Sequence, residues 1–90
     1  MSKKVDFRKV AVENVVGKYE IVDQSKGLGN LIYMQGMDPE ERDLGRKIFY
    51  EGEVELDEKQ ELIIRRFLMG LPVVVRTALQ ETLDGKLHDM

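Results

Sequence analysis

The side chains that could open nucleophilic or acid–base chemistry in this sequence are few and badly placed for it. The one histidine, His88, lies in the tail Lys86-Leu87-His88-Asp89-Met90, where the chain is expected to fray. Ser2 and Ser25 have no base near them in sequence, and a nucleophile or proton donor needs a partner held within hydrogen-bond reach. There is no cysteine, which removes thiolate catalysis, thiolate zinc sites and disulfides, and fits a reducing compartment. Seventeen carboxylates remain, but only folding could pair them, so no catalytic residue, metal ligand or cofactor is assigned and the chain reads as a non-enzyme. Gly27-Leu28-Gly29-Asn30-Leu31-Ile32 follows an expected strand and opens an expected helix, the setting of a dinucleotide-binding glycine loop. The third glycine is missing, no Gly-Lys-Ser/Thr follows, and 90 residues leave no room for a doubly wound sheet. Close helix packing is the better explanation of these glycines, and no small-molecule ligand is evident.

Base-reading residue types do occur together. Arg65 and Arg66 on one helix, Gly70-Leu71 as a turn, and Arg76, Thr77 and Gln80 on the next imitate a helix-turn-helix. Glu81 and Asp84 follow, however, and phosphate affinity rests on uncompensated Lys and Arg. The net charge of -3 is unevenly spread, with five bases against three acids in residues 1–22 and ten acids against four bases in residues 38–61. The charge balance therefore argues against nucleic acid as a partner, and a small DNA-binding or anti-repressor-like regulator using the last two helices stands as the alternative reading.

The elements that would carry these residues follow from patterning. Asp57 with Gln60 three positions on makes a capping box for a helix whose face Ile63, Ile64, Phe67 and Leu68 is expected core. Gly70 is expected to end it in the left-handed conformation and Pro72 to open the next, with Gly85 as its stop. The three β-branched residues Val73-Val74-Val75 would suit a strand equally. Residues 67–75 carry no charge in a chain that is 34% charged, so the fold is expected to close over them. Upstream, Val10, Val12, Val15, Val16, Tyr19, Ile21 and Val22 around Asn14 and Gly17 predict a β-hairpin whose mixed parity fits either a strand buried partly on both faces or a bulge. A helix capped by Asp23 or Ser25 runs to Gly36, and Asp38-Pro39-Glu40-Glu41 starts another that ends at Gly52. In the latter, Asp38–Arg42 and Asp43–Lys47 are spaced as i,i+4 ion pairs. Leu28-Gly29-x-x-Ile32-Tyr33-x-x-Gly36 and Leu44-Gly45-x-x-Ile48-Phe49-x-x-Gly52 echo one another, as glycine-stopped amphipathic helices can.

From Glu53 to Leu56 the period becomes two, a short third strand. It aligns Glu51, Glu53, Glu55 and Asp57 on one face, a row better explained as blunting a sheet edge than as neutralised by Arg8, Lys9 and Lys18 or as holding calcium. The fold class is thus α+β: one small domain over residues 1–90, with an N-terminal β-hairpin, a short third strand and about four helices, and with residues 1–4 and 85–90 as frayed tails.

With the hairpin, Leu28-Gly29-Asn30-Leu31-Ile32-Tyr33 and Gly52-Glu53-Val54-Glu55-Leu56, the chain resembles, over residues 5–83, small proteins of unassigned role encoded among phage and mobile-element genes. That resemblance implies an accessory or assembly role. The residues point the same way. The charge-free stretch with Tyr33, Met34, Met37, Tyr50 and Met69 is more apolar surface than a small core comfortably hides, Met and aromatics suit interfaces, and the candidate interface is Tyr33, Met34, Met37, Phe67, Met69, Leu71, Val73 and Val74. The expected function is a non-catalytic, self-associating or otherwise protein-binding partner, cytoplasmic and without a membrane segment.

Overall fold

The computed structural model describes residues 2–85. In order the elements are β1 (Lys3–Asp6), β2 (Val10–Val15), β3 (Lys18–Val22), α1 (Ser25–Gln35), α2 (Pro39–Glu51), β4 (Glu53–Leu56), α3 (Glu58–Leu68) and α4 (Val73–Leu83). The α+β expectation holds, with one strand more than expected. Lys3 and Lys4, expected at a frayed end, belong to β1; Met1 and residues 86–90, His88 among them, lie outside the described residues.

The strands form two antiparallel pairs, β1 with β4 and β2 with β3. In the second, Val15 faces Lys18 across the two-residue turn Val16-Gly17, and Gly17 takes φ +79, a conformation open to glycine at no steric cost. The ladder slips between Glu13 and Val15, the bulge that the mixed burial of the pattern suggested. In the first pair Val5 faces Val54 and both are buried, while Lys4 faces Glu55 and Asp6 faces Glu53 on the outer side. The acidic row is shorter than expected, since Glu51 closes α2 and Asp57 caps α3, and β4, with one partner strand, keeps the open edge that its acids were expected to blunt. Glu55 has Lys4 opposite it and accepts a hydrogen bond from the Ser2 hydroxyl at 2.6 Å, and the Arg8 charge reaches Glu53 while its guanidinium grips Asp6 at 2.9 Å. Basic residues of the N-terminus do meet the row, but they are Lys4 and Arg8; Lys18 lies in the other sheet.

Helix starts follow the expected chemistry. Asp57 accepts from the Gln60 amide at 2.8 Å and Gln60 accepts from the Asp57 amide at 3.0 Å, a complete capping box. Asp38 caps α2 through the Glu41 amide at 3.0 Å, with Pro39 in the first turn. Asp23 serves α1 by accepting from both the amide and the hydroxyl of the buried Ser25. The end of α3 departs from expectation. Gly70 is not left-handed; the positive φ values belong to Gly17, Gly52 and Gly85. Instead the Gly70 amide donates to Phe67 and the Leu71 amide to Leu68, tightening the last turn by i→i+3 bonds. Pro72 stands in extended conformation just ahead of α4, and Val73-Val74-Val75 is helix.

The core does not close over residues 67–75. Its wholly enclosed side chains include Phe7, Val10, Ile32, Ile48, Leu56, Ile64, Leu68, Leu79 and Leu83. Phe7 ties the two sheets to the helices, because its amide donates to Gly52 at 2.9 Å and its carbonyl accepts from Gln24 at 2.8 Å. Each buried aliphatic or aromatic side chain contributes on the order of 1.5–3 kcal/mol. Of the charge-free stretch only Leu68 joins them fully; Phe67, Leu71 and Val75 are partly buried, and Met69, Val73 and Val74 are exposed.

α1 and α2 pack back to back through their glycines. A Cβ on Gly29 would stand 2.5 Å from the Phe49 nitrogen and 2.7 Å from the Gly45 oxygen. A Cβ on Gly45 would stand 2.5 Å from the Tyr33 nitrogen and 2.7 Å from the Gly29 oxygen. The two sets of contacts exchange under the sixteen-residue shift of the sequence echo, so the echo marks a local two-fold relation between the helices. Gly27 has no such role, with nothing within 4 Å of where its Cβ would be.

Candidate functional site

The two-fold relation extends to the surface. Lys26 holds its ammonium 4.4 Å from the centre of the Phe49 ring, and sixteen residues on Arg42 holds its guanidinium 4.4 Å from the centre of Tyr33. Arg42 therefore stacks rather than forming the expected pair with Asp38, and Asp43 with Lys47 likewise is not an ion pair. Arg46 also lies over Tyr33, at 5.6 Å, and Phe49 meets Tyr50 edge to face at 5.1 Å. Donation from Arg46 toward the phenol oxygen, with the charge of Arg42 beside it, holds the Tyr33 phenol below its ordinary range and raises Arg46 above its own. Between these rings lies a groove of about 400 Å³ lined by Gly29, Asn30, Tyr33, Arg46, Phe49 and Tyr50. Of these residues sequence reasoning picked out Tyr33 as an interface residue, Tyr50 as surplus apolar surface and Gly29 as a close-packing glycine. The available signal was the echo itself, which repeats a cation two residues before Leu and an aromatic after Ile.

The expected interface residues do not form one patch. Tyr33 and Met37 border a groove at the turn between α1 and α2. Leu71 borders another, between α1 and α4, with Leu31 and Val75. Val73 and Val74 border a third, with Ala11 and Tyr19 of the hairpin. Met34 and Met69 are exposed, and Phe67 is partly buried against the core. The third place joins exposed apolar side chains from a helix and a sheet: Val73 is 64% and Val74 50% exposed, and Ile21, paired with Ala11, is 50% exposed.

The DNA-reading set fares differently. Arg65 bonds Asp84 at 2.6 Å and Glu61 at 3.0 Å, and Arg66 pairs at 3.0 Å with Glu41, a buried carboxylate of α2. Lys3 joins the same network through Glu61 at 2.5 Å and through the Leu83 carbonyl. These partners draw the Arg65 guanidinium pKa up and the Glu61 carboxyl pKa down, the latter chiefly through Lys3. Arg76, Thr77 and Gln80 lie on α4, with Thr77 beside the valines of the third groove. Two of the three arginines proposed for phosphate are thus compensated within the fold.

Among the described residues no cluster of three or more carboxylate or imidazole groups could hold a metal ion, and no helix is long and apolar enough to cross a membrane. Compared with protein-family models, curated proteins and solved structures, the chain matches none of them.

Proposed function

We propose that this is a non-catalytic interaction protein that self-associates through the surface shared by the start of α4 and the β2–β3 hairpin, with the cytoplasm as its compartment and an assembly or accessory role. The observation that carries this reading is the exposure of the charge-free stretch. A chain that is 34% charged has two long runs without charge, residues 27–37 and 67–75, and in the second Met69, Val73 and Val74 face solvent at 50% or more. The neighbouring β3 is an edge strand, because its sheet has two strands, and an open edge is a template for a further strand. A two-fold antiparallel β3–β3 pairing with Tyr19 against its own copy would set Lys18 opposite Glu20 on both sides, the arrangement of charges such a pairing favours.

Sedimentation velocity from micromolar to millimolar protein tests the proposal. The expected result is a concentration-dependent dimer that Val74→Asp abolishes. Val74 lies in the first turn of α4, where an acid suits the helix, so the variant keeps its fold. A monomer at all concentrations refutes self-association. The DNA-binding alternative predicts instead retention on DNA that falls steeply with salt, which the compensated Arg65 and Arg66 argue against.

A further inference from the structure

The groove between α1 and α2 lies among other residues than the self-association surface and has a chemistry of its own. Among the described residues, Lys3, Arg8, Lys59, Arg65 and Arg66 all sit in ion pairs with carboxylates. Lys26, Arg42 and Arg46 do not, and neither do Lys4, Lys9, Lys18, Lys47 and Arg76, but of these eight it is Lys26, Arg42 and Arg46 that lie over aromatic rings of the α1–α2 pair. Asp43 is near enough to act on Arg46 through its charge but makes no ion pair with it. In a chain of net charge -3 this is a local concentration of uncompensated cation. The cations flank rings rather than converge on a point, so a bare anion would leave the aromatic walls unused.

Those walls are open. Tyr50 is 75% exposed, and Phe49 and Tyr33 are partly so. At about 400 Å³ the groove falls within the range of small-ligand sites, ~300–1,000 Å³. Gly29, required by the helix crossing, also lines it. Asn30 on the rim supplies an amide that can both donate and accept, as the edge of a heterocyclic base requires. A flat ring stacked on tyrosine and guanidinium, with a negative group within reach of Lys26 and Arg46, satisfies every one of these features.

We infer that this groove binds a nucleotide, with its base against Tyr33, Phe49 and Tyr50 and its phosphate on Arg46 and Lys26. The source is either a free mononucleotide or one residue of a single strand, since both present the same base and phosphate. The test is an amide-resolved NMR titration of the whole chain with AMP, with a short oligodeoxyadenylate, and with adenosine and inorganic phosphate as separate probes. AMP is expected to give saturable shifts confined to residues 29–33 and 46–50, with adenosine or phosphate alone weaker by about tenfold or more. Arg46→Ala and Tyr50→Ala are each expected to weaken AMP by about tenfold, the scale of one lost stacked base, while the rest of the spectrum stays native. Binding of the oligonucleotide well above that of AMP assigns the site to a strand; equal or weaker binding assigns it to the free nucleotide. Shifts mapping elsewhere, no saturation by either nucleotide probe, indifference to both substitutions, or phosphate binding as well as AMP would each overturn the inference.

Discussion

The molecule contains two helix pairs of similar length, and they are joined by opposite means. α2 has seven charged residues in thirteen, yet it makes the closest approach in the fold, because Gly29 and Gly45 let two backbones touch. α4 has two charged residues in eleven, yet Val73 and Val74 of its first turn stand in solvent, and its partner α3 is tied down at the rim by the chain Lys3–Glu61–Arg65–Asp84. Apolar content therefore does not locate the tightest packing here. What locates it is the absence of a side chain at two facing positions.

The largest expected effect tests that claim. Gly45→Val should destabilise by at least about 3 kcal/mol in urea unfolding, because its side chain would meet the Tyr33 backbone, which cannot rotate away. Gly27→Ala, in the facing helix, should do the reverse and stabilise by up to about 1 kcal/mol, since its Cβ enters open space and alanine is the better helix former. If both substitutions act alike, the distinction between the two glycines is unfounded.

Next in size is a comparison inside α3. Leu68→Ala is expected to cost about 2–5 kcal/mol, the range for removing a fully buried leucine. Phe67→Ala should cost less than about 2 kcal/mol, because its ring is only partly covered. Equal losses in thermal or chemical unfolding would return residues 67–75 to the core and remove the main support for an interface there.

These cases show what could be read from the chain and what could not. Local rules were legible: the caps at Asp38 and Asp57, the turn at Gly17 and the helical faces at Ile48 and Ile64 all depend on neighbours in sequence. The partner of β4 was not, since β1 lies some fifty residues upstream and Lys3-Lys4-Val5-Asp6 is too short to show a period. Burial of the 67–75 stretch was misjudged for a related reason. Absence of charge says that a segment tolerates burial, while the geometry of the α3–α4 turn decides which of its residues find a neighbour. The stacked cations escaped notice because i,i+4 acids at Asp38 and Asp43 offered an apparent local partner, and the aromatic rings that took Arg42 and Lys26 came from the opposite helix.

The smallest effect separates the two helix pairs by pH. Lys3 and Arg65 hold the Glu61 carboxyl pKa below its usual value of 4.5. A group whose pKa is lower folded than unfolded contributes stability above the unfolded value and loses it as the pH falls through the folded one. The tie between β1, α3 and α4 should therefore weaken as the solution is acidified below about 4.5, while the contact of Gly29 with Gly45, with no titrating group in it, should not. Asp6 and Asp23 have carboxyl pKa values displaced in the same direction by Arg8 and Ser25, so overall stability will fall in acid whatever Glu61 does. The distinguishing measurement is local. Amide exchange in α3 and α4 should rise on acidification relative to α1 and α2, after correction for intrinsic rates, and Glu61→Gln should flatten that difference by lowering protection of α3 and α4 already at neutral pH. Exchange that rises equally in both pairs, or a Glu61→Gln protein with the native pH profile, would mean that the charge chain merely decorates the rim and that α3 and α4 are held by Leu68, Leu79 and Leu83 alone.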